Sequence, residues 1–229
     1  MINIPNFSTQ DMYDFETNFH LSTKNDRVAK FLAHYEAFKI AMTVPGEIVE
    51  CGVFKGTSFL RFAHFRDILG SSISAKLIAF DVFSDDYPET GFNEDFEQRQ
   101  HWIDTAGSSS ISEEQIIKVL NDKGVRNFKI VAGNVLETIP KFVSENPGVK
   151  ISLLNIDIDF VEPTACVLEH LYEKVSLGGI VLFDNYAGEG TSGKYLHGDT
   201  KGIDEFFKGK SVKLRKFPFC SRPCYLIKE

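Results

Sequence analysis

Residues 151–160 read ISLLNIDIDF. The apolar side chains Ile151, Leu153, Leu154 and Ile156 run directly into two carboxylates, Asp157 and Asp159. A nearly continuous apolar run of this length reads as a strand buried on both faces, as in a parallel sheet covered by helices. Side chains at i and i+2 of a strand share a face, so both acids are expected on one face of a buried strand end. Like charges there repel each other and lose hydration. A positive partner beside them is therefore part of the expectation.

Working outward, the same alternation recurs along the chain. EIVECGV (47–53), KLIAFD (76–81), FKIVAGN (128–134) and GGIVLFDN (178–185) read as further buried strands. GTSFLRFAHFRDILG (56–70), SEEQIIKVLNDKG (112–124), VLETIPKFVSEN (135–146) and PTACVLEHLYEKV (163–175) have helical apolar spacing between them. Residues 9–43 predict one or two N-terminal helices stopped by Pro45-Gly46, and GIDEFFKG (202–209) a short helix. VKLRKF (212–217) and CYLIKE (224–229) predict a closing antiparallel hairpin. The expected fold is α/β: a doubly wound, mostly parallel, seven-stranded sheet in a single domain spanning residues 1–229.

Composition limits the function. With 229 residues, 43% hydrophobic, the chain can bury a sizeable core. A net charge of -7 argues against nucleic acid as the main ligand. No apolar run approaches membrane-spanning length and no secretory signal is evident, so a soluble cytoplasmic protein is expected. Cys51, Cys166, Cys220 and Cys224 have no disulfide-framework spacing and read as reduced thiols.

Two segments break the rhythm: the acidic, aromatic residues 82–111 and the glycine-rich residues 186–201. Both follow the carboxyl end of a predicted strand, the edge where open α/β sheets bind ligands. They are read either as lids or, for the first, as an ordinary surface helix whose Tyr87, Phe92, Phe96 and Trp102 are packing contacts.

The strand ends carry the chemistry. After the first strand, Gly52 and Gly56 permit close backbone approach to a ligand, and Glu50 suits an ammonium group there, or is a strand-end acid satisfied by backbone donors. The dinucleotide fingerprint G-x-G-x-x-G is missing, which disfavours a nicotinamide dehydrogenase. Asp81 ends the second strand, where an acid commonly takes ribose hydroxyls. Asn134 ends the third, either to read an adenine edge or as a turn residue. Asp157, Asp159, Asp184 and Asn185 end the fourth and fifth. If these two strands are parallel neighbours, roughly 4.8 Å apart, four oxygen-bearing side chains converge. That donor set either suits a hard dication, magnesium or manganese, which would supply the missing charge, or is a group of solvated carboxylates at a sheet edge.

VPGEIVECGVFKGTSF (44–59), LLNIDIDFVEPTACVLEHLYEKVSLGGIVLFDNY (153–186) and KGIDEFF (201–207) resemble the macrocin and mycinamicin O-methyltransferase family, from about residue 40 to the C-terminus. The resemblance implies a class I, S-adenosylmethionine- and metal-dependent enzyme that methylates sugar hydroxyls of natural products. It implies Asp157, Asp184 and Asn185 as metal ligands, with Asn185 where many members carry a second aspartate. Asp159 falls at the position of the general base, and Glu50, Gly52 and Asp81 at cofactor positions. Asn134 stands where related enzymes place an acid near adenine.

The mechanism expected is deprotonation of a metal-bound acceptor hydroxyl by Asp159, in line with the sulfonium methyl. His101 and His197 are the competing bases. His20, His34, His64 and His170 are read as structural or exposed. Lys55 and Lys194 read as solvated, or as contacts to an anionic acceptor such as a nucleotide sugar. The alternatives are catechol-type methylation of a phenolic diol and a non-catalytic binder of an adenosine ligand. The N-terminal helices are left with two roles, a subunit contact in a homo-oligomer or a cover over the acceptor pocket.

Overall fold

The structure, a computed structural model, describes residues 11–187 and 198–229, without the side chains of residues 93, 94, 98 and 105. The five apolar runs form β1 (Glu47–Cys51), β2 (Leu77–Asp81), β3 (Phe128–Ala132), β4 (Ile151–Ile156) and β5 (Val175–Phe183). β6 (Arg215–Lys216) and β7 (Cys224–Ile227) are the expected hairpin. Together they make one seven-stranded sheet in the order β3-β2-β1-β4-β5-β7-β6, parallel except for the pairings of β7.

Consecutive strand residues divide between two cores, as the two-residue period of a strand requires. Ile48, Leu77, Leu153 and Ile180 face α2 (Asn25–Ala41), α3 (Thr57–Leu69) and α5 (Glu113–Asp122). Val49, Ile78, Leu154 and Val181 face α6 (Val135–Glu145), α7 (Val161–Leu171) and α8 (Gly198–Phe207). The N-terminal segment is two helices, α1 (Met12–Ser22) and α2, broken where Thr23 and Lys24 adopt extended backbone. The acidic aromatic segment contains α4 (Asn93–Ala106). α5 begins with a capping box in which Ser112 and Gln115 bond reciprocally.

One expectation is corrected. β4 ends at Ile156, so Asp157 and Asp159 lie beyond the strand, and Asp159 has φ +70°. They do not share a strand face. The chain has left the ladder and turned, so their approach to each other is set by the loop rather than by the pleat.

Register fixes the loops at one edge. Cys51 pairs with Phe80 and Ile156, and Ile156 with Phe183. The ladder runs one residue further through Asp157 N–H to Cys51 O (2.8 Å) and Asp184 N–H to Ile156 O (3.0 Å). Gly52 lies so close to the β4 end that an added Cβ would sit 1.9 Å from Asp157 O, at φ +89°. Only glycine fits there.

On the far side, Arg66 of α3 is 1% exposed and donates to the carbonyls of Ala75 (3.0 Å), Asn127 (3.1 Å) and Arg126 (2.7 Å). It ties α3 to the chain entering β2 and β3. Arg66→Met strands three carbonyls that the guanidinium satisfied and should cost roughly 3 kcal/mol in urea unfolding. Arg66→Lys, whose ammonium cannot span all three carbonyls, should recover only part of that loss.

Candidate active site

Two cavities open at the carboxyl edge of the sheet. The first is lined by Asp81, Tyr87, Gly133, Asn134 and Trp102 among others. The second is lined by Arg27, Lys30, Lys55, Ser58 and Arg61 among others. They share Gly52, Phe54, Trp102, Asp157 and Asp159. Residues 82–111 are helical over α4, and Tyr87 and Trp102 wall the first cavity. Trp102 packs edge-on against Phe54 (4.9 Å) and Tyr87 (5.0 Å).

The carboxylates meet at the seam of the two cavities. Lys30 Nζ donates to Asp184 Oδ2 at 2.6 Å and to Asp157 Oδ2 at 3.5 Å. In this structure the positive partner demanded by the acids is thus an ammonium from α2. Burial pushes the Asp157 carboxyl well up, and the neighbouring charge of Asp184 pushes it further. Burial also opposes ionisation of Asp184, yet the Lys30 ammonium, helped by His34, holds it below the ordinary carboxylate range. His34 is buried, stacked on Phe62 at 5.1 Å, with its Nε2 3.9 Å from Asp184 Oδ1. Desolvation lowers the His34 pKa to about 4, so the ring is neutral at pH 7.

Asn185 is oriented differently from expectation. Its Nδ2 donates to Asp159 Oδ1 and, at 3.3 Å, to Asp157 Oδ1, while its Oδ1 accepts from Arg222 at 3.0 Å. The carbonyl expected to be a metal ligand faces a guanidinium instead. Asp199 accepts from Asn185 N–H at 3.2 Å, which fixes the backbone there. Among the described residues no three His, Cys, Asp or Glu side chains gather as a metal cluster. The two carboxylates do suit a cation: both turn an oxygen to one ammonium, and Asp184 Oδ1 is buried with no hydrogen-bond partner among the described residues.

The other expected site residues separate into two groups. Asp81, Gly52 and Asn134 line the first cavity. Asp81 also grips the loop after β1, its Oδ2 accepting from Val53 N–H (2.5 Å) and Phe54 N–H (2.7 Å) and its Oδ1 from Val82 N–H (2.6 Å). Asn134 caps α6 by accepting from Leu136 N–H at 3.0 Å, so the turn reading holds alongside a place on the cavity wall. Gly56 and Glu50 are not on either wall. Gly56 starts α3 at φ +82°, and an added Cβ would meet Ile116 Cδ1 at 3.0 Å, so its freedom serves packing. Glu50 lies behind Ser58, whose hydroxyl donates to its Oε1, and its Oε2 is buried without a hydrogen-bond partner among the described residues. His101, on α4, is on neither wall. His197, Lys194 and most of the glycine-rich segment lie outside the described residues.

Sequence reasoning passed over Arg27, Lys30 and Arg222. A signal existed for the first two: Arg27, Lys30 and His34 fall at i, i+3 and i+7 of α2 and so form one stripe. With Arg27 and Lys30 on the second cavity, α2 walls that cavity.

This sheet order, with its cavity at the ends of β1, β2 and β4, is the class I methyltransferase fold. Among solved structures, the calicheamicin methyltransferase CalS11 superposes with a TM-score of 0.72 at 22% identity, covering 97% of this chain and 86% of that one. The O-methyltransferase NovP superposes with a TM-score of 0.71 at 20% identity, covering 87% of this chain and 79% of that one. The chain belongs to the macrocin-O-methyltransferase (TylF) family, whose model matches residues 18–197. A curated relative from Streptomyces olivaceus, 8-demethyl-8-(2,3-dimethoxy-alpha-L-rhamnosyl)-tetracenomycin-C 4'-O-methyltransferase, is 28% identical over 153 residues. The match covers 65% of this chain and spans 56% of that relative's length. Among the described residues no helix is long and apolar enough to cross a membrane.

Glu50 makes a testable contribution to pH dependence. Burial raises its pKa from 4.5 to about 8, with the Ser58 hydrogen bond opposing the shift. The folded state then holds a proton that the unfolded state has released. This group's contribution is complete below about pH 4.5 and declines as pH rises toward 8. Asp199, raised to about 8 by burial and then by Asp159 and Asp184, acts in the same direction. Thermal melts from pH 4.5 to 8.5 should show Glu50→Gln gaining stability relative to the native chain as pH rises. Parallel curves for the two proteins would contradict this assignment.

Proposed function

We propose that the chain transfers the methyl group of S-adenosylmethionine to a hydroxyl of a sugar, either on a glycosylated natural product or on a nucleotide sugar. The observation that carries this reading is the seam: a cavity walled by Asp81, Gly133 and Asn134 meets a second cavity at Asp157 and Asp159. Family membership and the sugar O-methyltransferase name of the curated relative support it.

In this reading the first cavity holds the adenosine end, with Asp81 toward the ribose. Asp81 Oδ2 already accepts two backbone N–H groups and Oδ1 one, so Oδ1 is the oxygen with a lone pair for a hydroxyl. The acceptor enters the second cavity with its hydroxyl at the seam. Asp159 takes the hydroxyl proton as the oxygen attacks the sulfonium methyl. Asn185, donating to Asp159 Oδ1, holds the base in place while the other oxygen accepts the proton. Trp102, held edge-on between Phe54 and Tyr87, covers the seam and limits water. The walls fix both partners in line, and positioning of this kind supplies several kcal/mol.

Asp157 and Asp184 would hold a magnesium or manganese ion, with Asn185 as a third ligand only once its amide turns its carbonyl away from Arg222. Such an ion, competing with Lys30 for the same oxygens, supplies Lewis acidity that lowers the acceptor hydroxyl's pKa.

Asp159→Ala should lower the rate of methyl transfer to a sugar acceptor by at least about 100-fold, with S-adenosylhomocysteine affinity within twofold of native by calorimetry. An unchanged rate would remove Asp159 as the base, and absence of turnover in the native chain with a broad acceptor set would favour a binding protein. Stripping divalent cations with EDTA should suppress turnover, and magnesium or manganese should restore it; a rate indifferent to EDTA would remove the dication from the scheme.

A further inference from the structure

The second cavity carries more cationic charge than its carboxylates need. Four cations, Arg27, Lys30, Lys55 and Arg61, share its wall with Asp157 and Asp159, in a chain of net charge -7. Lys30 is committed to Asp184 and Asp157. The Lys55 ammonium donates to Ala106 O at 2.6 Å. Arg61 is different. It is only 9% exposed, yet among the described residues it has no ion pair and no hydrogen bond. Its guanidinium lies over the Phe31 ring, 5.3 Å from the centroid.

The Arg61 side chain is largely withdrawn from water with no anion in ion-pair contact, so its desolvation is offset only by the Phe31 ring and by carboxylates acting through space. Arg27, equally without an ion-pair partner among the described residues, lies near enough to repel it, and that repulsion adds to desolvation in lowering the Arg61 pKa. Asp184, Glu50 and Asp157 attract Arg61 only through space, without ion-pair contact. Two unneutralised guanidinium groups on one cavity wall suit a bidentate, multiply charged oxyanion, which phosphate matches better than any neutral sugar.

We propose that Arg61 and Arg27 form a subsite for a phosphate or diphosphate group of the acceptor, so that the methylated sugar is bound as a phosphate ester. This deepens the methyltransferase reading above and rests on it for the identity of the ligand as acceptor. The subsite anchors the charged end of the acceptor at the α2–α3 side of the cavity and leaves the sugar to reach Asp159 at the seam. Two sources share this chemistry, a sugar phosphate and a nucleoside diphosphate sugar. A third anion, the carboxylate of the cofactor's own methionine, competes for the same explanation.

The test is calorimetric titration of the full chain in metal-free buffer with inorganic pyrophosphate, uridine diphosphate, S-adenosylhomocysteine and 5′-methylthioadenosine. Native protein should bind pyrophosphate. Arg61→Gln should weaken that binding at least tenfold, and Arg61→Lys should weaken it less. Arg27→Gln, a change at an exposed position, repeats the test should Arg61→Gln fail to fold. S-adenosylhomocysteine affinity should be unchanged in all three variants. Uridine diphosphate binding more tightly than pyrophosphate indicates a nucleotide sugar, and equal affinities a sugar phosphate. The proposal is overturned if native protein does not bind pyrophosphate, or if Arg61→Gln leaves that binding intact. It is also overturned if Arg61→Gln weakens S-adenosylhomocysteine but not 5′-methylthioadenosine, which would give the guanidinium to the cofactor's carboxylate. Failure of native protein to bind S-adenosylhomocysteine at all would defeat the methyltransferase reading, while the pyrophosphate arms still decide the anion site.

Discussion

Everything at the sheet edge follows from three carboxylates, Asp157, Asp159 and Asp184, pressed together by the parallel pairing of β4 with β5. The ladder delivers Asp157 and Asp184 one residue past paired positions, Ile156 and Phe183. Burial then makes their charge expensive, and the protein answers with donors brought from distant parts of the chain: Lys30 from α2, the Asn185 amide, and Arg222 behind it. Such a cluster is costly for folding alone, and burial of charge that needs this much compensation is common where chemistry is done.

The loop after β1 is the second constraint. Gly52 permits the contact with Asp157 O, and Asp81 holds the next two amides, Val53 and Phe54, with one carboxylate oxygen. Phe54 in turn meets Trp102 of α4. A change at the end of β2 is thus felt in the cover of the cavity, through one carboxylate and one aromatic contact. Asp81 thus both lines the first cavity and positions the loop after β1, a second role that its place at a strand end did not announce.

The strands were legible because parallel strands buried on both faces are largely apolar: β1 through β4 lie within the runs read as strands, while β5 begins three residues before its run, at Val175. The acids after β4 and β5 were legible because polar residues closing such runs stand out. Their geometry was not, since nothing in IDIDF announces that the strand ends at Ile156 or that Asp159 takes a left-handed turn. Lys30 was missed because a lysine on an amphipathic helix ordinarily reads as solvated, and its partners lie 127 and 154 residues away. A glycine at a helix start satisfies both ligand approach and tight packing, and of these the structure shows the packing of Gly56 against Ile116.

The central claim is that cofactor and acceptor meet at the seam where Asp159 stands. A crystal structure of the chain with S-adenosylhomocysteine tests it most directly. The account requires the ribose beside Asp81, the adenine near Asn134 and the thioether sulfur facing the cavity that Arg61 and Lys30 wall, next to Asp159. Adenosine density in any other cavity, or a sulfur pointing away from Asp159, would contradict it.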